Sequence, residues 1–124
     1  MDTLFLLGLL QVKHYYADFM IQSYEQTVKK GIYANPIGMS HSVDHLWCTL
    51  TALLVFSLVY PIGAATILIC GLVEAVLHYH IDYVKMHFGT KNMQTSLFWN
   101  QFGLDQLAHQ LTYLGMAYYI NILL

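Results

Sequence analysis

The feature that most constrains this chain is its division into four long apolar stretches by three short breaks. The first stretch runs from about Thr3 to Thr27 and ends at the polar loop Lys29-Lys30-Gly31. Asn35-Pro36 reads as an N-cap with a first-turn proline, opening a second helix over about 37–60. Pro61 and Gly63 break the chain tightly enough to make the second and third helices antiparallel neighbours. The third helix covers about Ala64–Phe88 and stops at Gly89, and the fourth covers about 96–123 after a polar loop, Thr90 to Gln94. At ~1.5 Å per residue, each stretch is long enough for a hydrocarbon layer of ~30 Å. The stretches are too long for strands and do not alternate. The expected fold is all-α: one integral membrane four-helix bundle over residues 1–124. The first helix is the least regular, since Gln11, Lys13, His14, Asp18 and Gln22 interrupt it and would also suit an interfacial amphipathic helix.

Composition supports the membrane reading. The chain is 57% hydrophobic and only 10% charged, whereas an average soluble domain carries roughly a quarter charged residues. Net charge is −2 and every basic residue is lysine, so no basic stripe invites nucleic acid. Cys48 and Cys70 lie in apolar segments and read as small hydrophobes, not as a disulfide. The N-terminus has Asp2 where a signal peptide would be basic, so it is expected to remain as the start of the first helix. Lys29, Lys30 and Lys91 lie in the loops at one end and Lys85 close to it, while the Pro61 turn and both termini lack lysine. The positive-inside rule then places the polar loops in the cytoplasm of a bacterial inner membrane and both termini outside. Tyr24, Tyr33, Trp47, Tyr60, Tyr83, Trp99, Tyr118 and Tyr119 suit interfacial belts.

Inside the apolar stretches lie ionisable residues that cost ~2.5–3.5 kcal/mol each even on lenient insertion scales. His14 and Asp18, His41 and His45, Glu74 and His78, His78 and Asp82, and Asp105 and His109 are each four residues apart. Random placement of these residue types would give about one or two such pairs, and four residues is one helical turn. Each pair therefore projects from one face, and every helix contributes at least one. By helical rise, all can meet in the cytoplasmic half of the bundle.

Taken alone, any one pair reads as a hydrogen bond between packed helices. Together, imidazole and carboxylate at this density point to a divalent metal, with zinc favoured and iron or manganese as alternatives. The expected ligands are His14, Asp18, His41, His45, His78, Asp82, Asp105 and His109. Glu74 is expected as general base and Lys85 as an anion-binding group. Lys13 is deeper and is expected to pair with Asp18 or Asp105. His80 and His87 read as surface residues, and Asp44 as a helix-start acid.

The run Lys13-His14-Tyr15-Tyr16-Ala17-Asp18-Phe19 with Gln22, then His41 and His45, then Glu74, His78, Asp82, Tyr83 and Lys85, then Asp105-Gln106 and His109, resembles domain-of-unknown-function family 3307. That family consists of small bacterial and phage membrane proteins. The resemblance implies a membrane location and no established activity. In style, though in no matched motif, the histidine and aspartate spacing is also similar to membrane-bound metal-dependent hydrolases. The expected function is a metal-dependent hydrolase acting on a lipid or lipid-linked anionic substrate, with the bilayer as partner and a homodimer as a means of shielding polar faces. A di-iron oxidoreductase, a divalent-cation or proton carrier, and a structural subunit with a buried polar network are the alternatives.

Overall fold

A computed structural model describes residues 2–124, and among them there are helices and no strand. Helix α1 (Thr3–Tyr15) begins at Asp2, whose carboxylate accepts from the Phe5 amide, satisfying one of the free donors of the first turn. After α1 the chain widens into a π-helical turn over Tyr16–Ile21. It becomes extended at Gln22 and restarts as a short helix, α2 (Tyr24–Lys29). The three long helices are α3 (Pro36–Ser57), α4 (Ala64–Phe88) and α5 (Ser96–Leu123).

Two of the expected boundaries need correction. The single helix over 3–27 is broken, because Ser23 and Gln26 form a capping box: the Ser23 hydroxyl accepts from the Gln26 amide, and the Gln26 side chain accepts from the Ser23 amide. Such a box starts a new helix at Tyr24. The second helix ends at Ser57 instead of 60, loosening into a turn before Pro61. By contrast, Ala64–Phe88 and Ser96–Leu123 fall where the pattern puts them, and Asn35 caps α3 through the Ile37 and Gly38 amides.

Helix α3 packs against α1 and α4, and α5 packs against α4 and α1. Helices α1, α3, α4 and α5 thus close into a ring, with α2 laid on α3. At Gly38 the two backbones nearly touch: a Cβ there would lie 2.6 Å from the Lys29 carbonyl oxygen. That approach seats Lys30, which the sequence assigns to a polar loop, in the protein interior.

The interior has two zones. At the end carrying both termini and the Pro61 turn, it is apolar, with Leu6, Leu10, Leu53, Phe56, Ile67 and Ile120 among its members. Toward the other end it is polar. Among the described residues, twelve polar or charged side chains are buried against twelve hydrophobic ones, while thirty-eight large hydrophobic side chains are exposed. This inverts the usual soluble distribution. One helix, α4, is long and apolar enough to cross a membrane by length and composition.

Candidate metal centre

The polar zone is built by continuing one register on each helix. On α3 it runs His41, His45, Thr49; on α4 Glu74, His78, Asp82; on α5 Asp105, His109, Tyr113. All nine are buried. From the fourth side, α1 supplies Lys13 and His14, and the π-helical turn supplies Asp18. A π turn carries one extra residue per hydrogen-bonded loop and recurs at functional sites.

Three imidazoles converge on one oxygen. Asp18 Oδ1 lies 2.8 Å from His45 Nε2, 3.0 Å from His41 Nε2 and 3.6 Å from His78 Nε2. The His78 and His41 Nε2 atoms are themselves 3.3 Å apart. Four donors arranged tetrahedrally at the ~2.0–2.1 Å of a zinc site would be about 3.3 Å from one another. The spacings observed here bracket that value, and the donor types are those of borderline divalent metals. Asp18, His41, His45 and His78 therefore form a group that could hold a metal ion. His78, Asp82 and His109 form a second such group, with Asp82 Oδ2 3.2 Å from His78 Nε2 and Asp82 Oδ1 3.2 Å from His109 Nε2.

Behind the rings sits Glu74. Its Oε1 is 3.6 Å from His45 Nδ1 and 3.5 Å from His78 Nδ1. Thr49 donates to Oε2 at 3.1 Å. Lys13 Nζ lies 2.8 Å from Oε1 and 3.2 Å from His45 Nδ1. An imidazole that ligates through Nε2 carries its proton on Nδ1. Glu74 is the carboxylate facing both Nδ1 atoms, although His78 Nδ1 makes no hydrogen bond and His45 Nδ1 meets the Lys13 ammonium. This differs from the sequence expectation of a base beside the ion, because the Nδ1 side faces away from the converging Nε2 atoms. Lys13 likewise pairs with Glu74 and not with Asp18 or Asp105. Glu74 is one turn deeper on α4 than His78, level with Lys13.

The remaining charges are matched in the same way. Lys30 Nζ is 2.9 Å from Asp82 Oδ2, and Lys85 Nζ is 3.9 Å from Asp105 Oδ2. Glu74, Asp82 and Asp105 each have a lysine, while Asp18 has no lysine ion pair among the described residues and faces imidazoles alone. His14 is occupied otherwise: Nδ1 is 2.8 Å from the Tyr113 hydroxyl, Nε2 is 3.0 Å from Gln106 Oε1, and Nε2 is 3.2 Å from Asp18 Oδ2. It belongs to neither donor group and holds Asp18 in place. Asp105 lies at the margin, with Oδ1 3.7 Å from His109 Nε2 and no hydrogen-bond partner.

Sequence reasoning missed the parts played by Lys30, Thr49 and Tyr113, and named Gln106 without a role. Thr49 and Tyr113 were findable, since each continues a four-residue register past a histidine. Lys30 had no such signal. His80 and His87 are exposed, and Asp44 accepts from Gln26 at 2.9 Å. Cys48 and Cys70 are free thiols. Outside the cluster, α4 and α5 diverge to leave a groove of about 470 Å³ bordered by Lys85, Gln101 and Asp105. It adjoins, at Ala108, an apolar one of about 720 Å³.

Fold and site together define a small all-helical protein whose bundle interior carries a buried histidine–aspartate cluster with the donor set for a metal ion. The chain belongs to the family described as protein of unknown function (DUF3307), whose model matches residues 5–123. No curated protein and no solved structure matches it.

Proposed function

We propose that this protein is an intramembrane metal-binding protein of the bacterial inner membrane, acting as a metal-dependent hydrolase on a lipid or lipid-linked anionic substrate. The observation that carries the reading is the convergence of three imidazole Nε2 atoms on Asp18 Oδ1 inside a bundle whose outer surface is apolar. Lipid is as apolar as leucine, so a membrane bundle gains nothing from a greasy core and can hold its polar groups inside. Helices α3 and α5 carry their ionisable cluster residues on the interior side, while many outward positions, such as Leu54, Leu104, Leu107 and Leu111, are exposed and apolar. The polar loops face the cytoplasm and both termini face outward, following the lysines.

Zinc is the favoured ion, with iron or manganese as alternatives for the same donors. Bound there, a divalent ion supplies Lewis acidity that brings a coordinated water into the neutral titration range. The chain's own residues do the rest. Glu74, with Lys13, supplies the charge facing the Nδ1 side of the His45 and His78 rings, and His14 fixes Asp18. Lys85, at the mouth of the α4–α5 groove, binds the anionic part of the substrate. Asp105, with a free Oδ1 beside His109, accepts the proton from the attacking water.

The test is elemental analysis of detergent-purified protein beside His78→Ala, followed by mass spectrometry of phospholipid vesicles incubated with each. The expected result is near-stoichiometric metal and released headgroup or acyl product, both lost in the variant. Metal-free wild type that remains folded would defeat the metal reading. Metal without lipid turnover would move the assignment to a cation carrier.

A further inference from the structure

The two donor groups are not independent, because both use His78. Its Nε2 is 3.6 Å from Asp18 Oδ1, 3.3 Å from His41 Nε2 and 3.2 Å from Asp82 Oδ2, and Asp82 Oδ2 is in turn 3.6 Å from His41 Nε2. Its Nδ1 is turned away toward Glu74. An imidazole nitrogen has one lone pair in the ring plane and gives it to one ion at a time. From this sharing, and resting on the metal reading above, we propose that the chain binds a single divalent ion in two mutually exclusive, overlapping positions that pivot on His78.

The two positions differ in kind. The inner one has four protein donors, Asp18, His41, His45 and His78; a complete tetrahedral set is the pattern of sites that hold an ion without reacting it. The outer one has three, His78, Asp82 and His109. Three protein donors with a remaining position open is the pattern of reactive sites. The outer position also lies toward the α4–α5 groove: Asp105, whose Oδ1 is 3.7 Å from His109 Nε2, borders it. The inner position stores the ion, and the outer position presents it to whatever occupies the groove. The shared nitrogen means that two ions could not both keep their full donor sets, unlike the dinuclear centres that bundles often build from carboxylates and histidines.

Cobalt(II) titration of the full-length protein in detergent micelles tests this, because tetrahedral cobalt absorbs far more strongly in the visible than five- or six-coordinate cobalt. Wild type should bind one cobalt per chain with an intense spectrum. His109→Gln should keep both the stoichiometry and that spectrum. His45→Gln should still bind one cobalt, now with a shifted spectrum and held by the outer donors, so that adding His109→Gln to it should abolish binding. His78→Gln should lose affinity by on the order of a hundredfold or more, since even outer-shell losses cost about ten- to hundredfold. Circular dichroism checks that each variant is folded. Two cobalts per wild-type chain would overturn the proposal while leaving the metal reading intact. So would abolished binding in folded His45→Gln, or cobalt retained when His109→Gln is added to it, either of which would mean one fixed inner site, or unchanged binding in His78→Gln. No cobalt in folded wild type would instead defeat the metal reading on which the proposal stands.

Discussion

At the residue scale, the site is held by matched charges buried away from water. The side chains of Lys13 and Glu74 are 5% and 1% exposed, and removing one partner of such a pair leaves a bare charge in the interior. Lys13→Met should therefore destabilise the fold by about 3–5 kcal/mol, whereas Lys13→Met combined with Glu74→Gln should recover most of that loss. Denaturant unfolding in micelles reads both. If the single variant costs no more than a surface substitution, the pair does not hold the bundle together. Asp105→Asn bears on chemistry instead. It should lower lipid turnover by about 10²–10⁴-fold while bound metal stays near the wild-type level, measured by product release and elemental analysis on the same sample. His14 illustrates why residue-level reading stopped short: its spacing to Asp18 was legible, but its ring engages Tyr113 and Gln106 of α5, which only packing could reveal.

At the element scale, the segment between α1 and α3 decides how the site is closed. The Ser23–Gln26 capping box starts α2, and Gln26 also donates to Ser40 and Asp44 on α3. Ser23→Ala should cost ~1 kcal/mol, the usual loss for an N-cap hydroxyl, seen as faster amide exchange in residues 24–29. Gly38→Ala should be worse. Its new methyl would meet the Lys29 backbone at 2.6 Å, and backbone cannot swing aside as a side chain can. Forcing α2 outward should draw Lys30 away from Asp82 and cost about 1–3 kcal/mol. Proteolysis within residues 24–34 should accelerate in step, and unchanged cleavage would show that α2 accommodates the methyl without moving. The capping box was written in the sequence as Ser-x-x-Gln, yet the apolar run across it outweighed the signal. The π-helical turn had no signal, since its extra residue is accommodated by what surrounds Asp18.

At the scale of the whole molecule, the distribution of polarity and the binding of an ion should both be measurable. With thirty-eight large hydrophobic side chains on the outside, the full-length protein should resist alkaline carbonate extraction from membranes and require detergent. Release into the aqueous fraction would defeat the membrane reading. An ion bound only by the folded bundle should raise its stability by about 2.7 kcal/mol when present at a hundred times its dissociation constant. Chelator treatment should lower the thermal midpoint accordingly, and His78→Ala should melt at one temperature with or without chelator.

The sequence by itself determined the helical class, the positions of α4 and α5, the Asn35 cap and the four-residue registers that face inward. These follow from local rules: length of apolar run, breaker residues, and the 3.6-residue period. Tertiary structure decided which of those polar residues meet. It brought Asp18, His41, His45 and His78 to one point and set His78 between two donor groups. It also turned Glu74 to the back of the rings and pulled Lys30 out of a loop onto Asp82. Those outcomes depend on helix rotation and on the backbone approach at Gly38, which are fixed by packing between segments far apart in the chain. No periodicity within one segment carries that information.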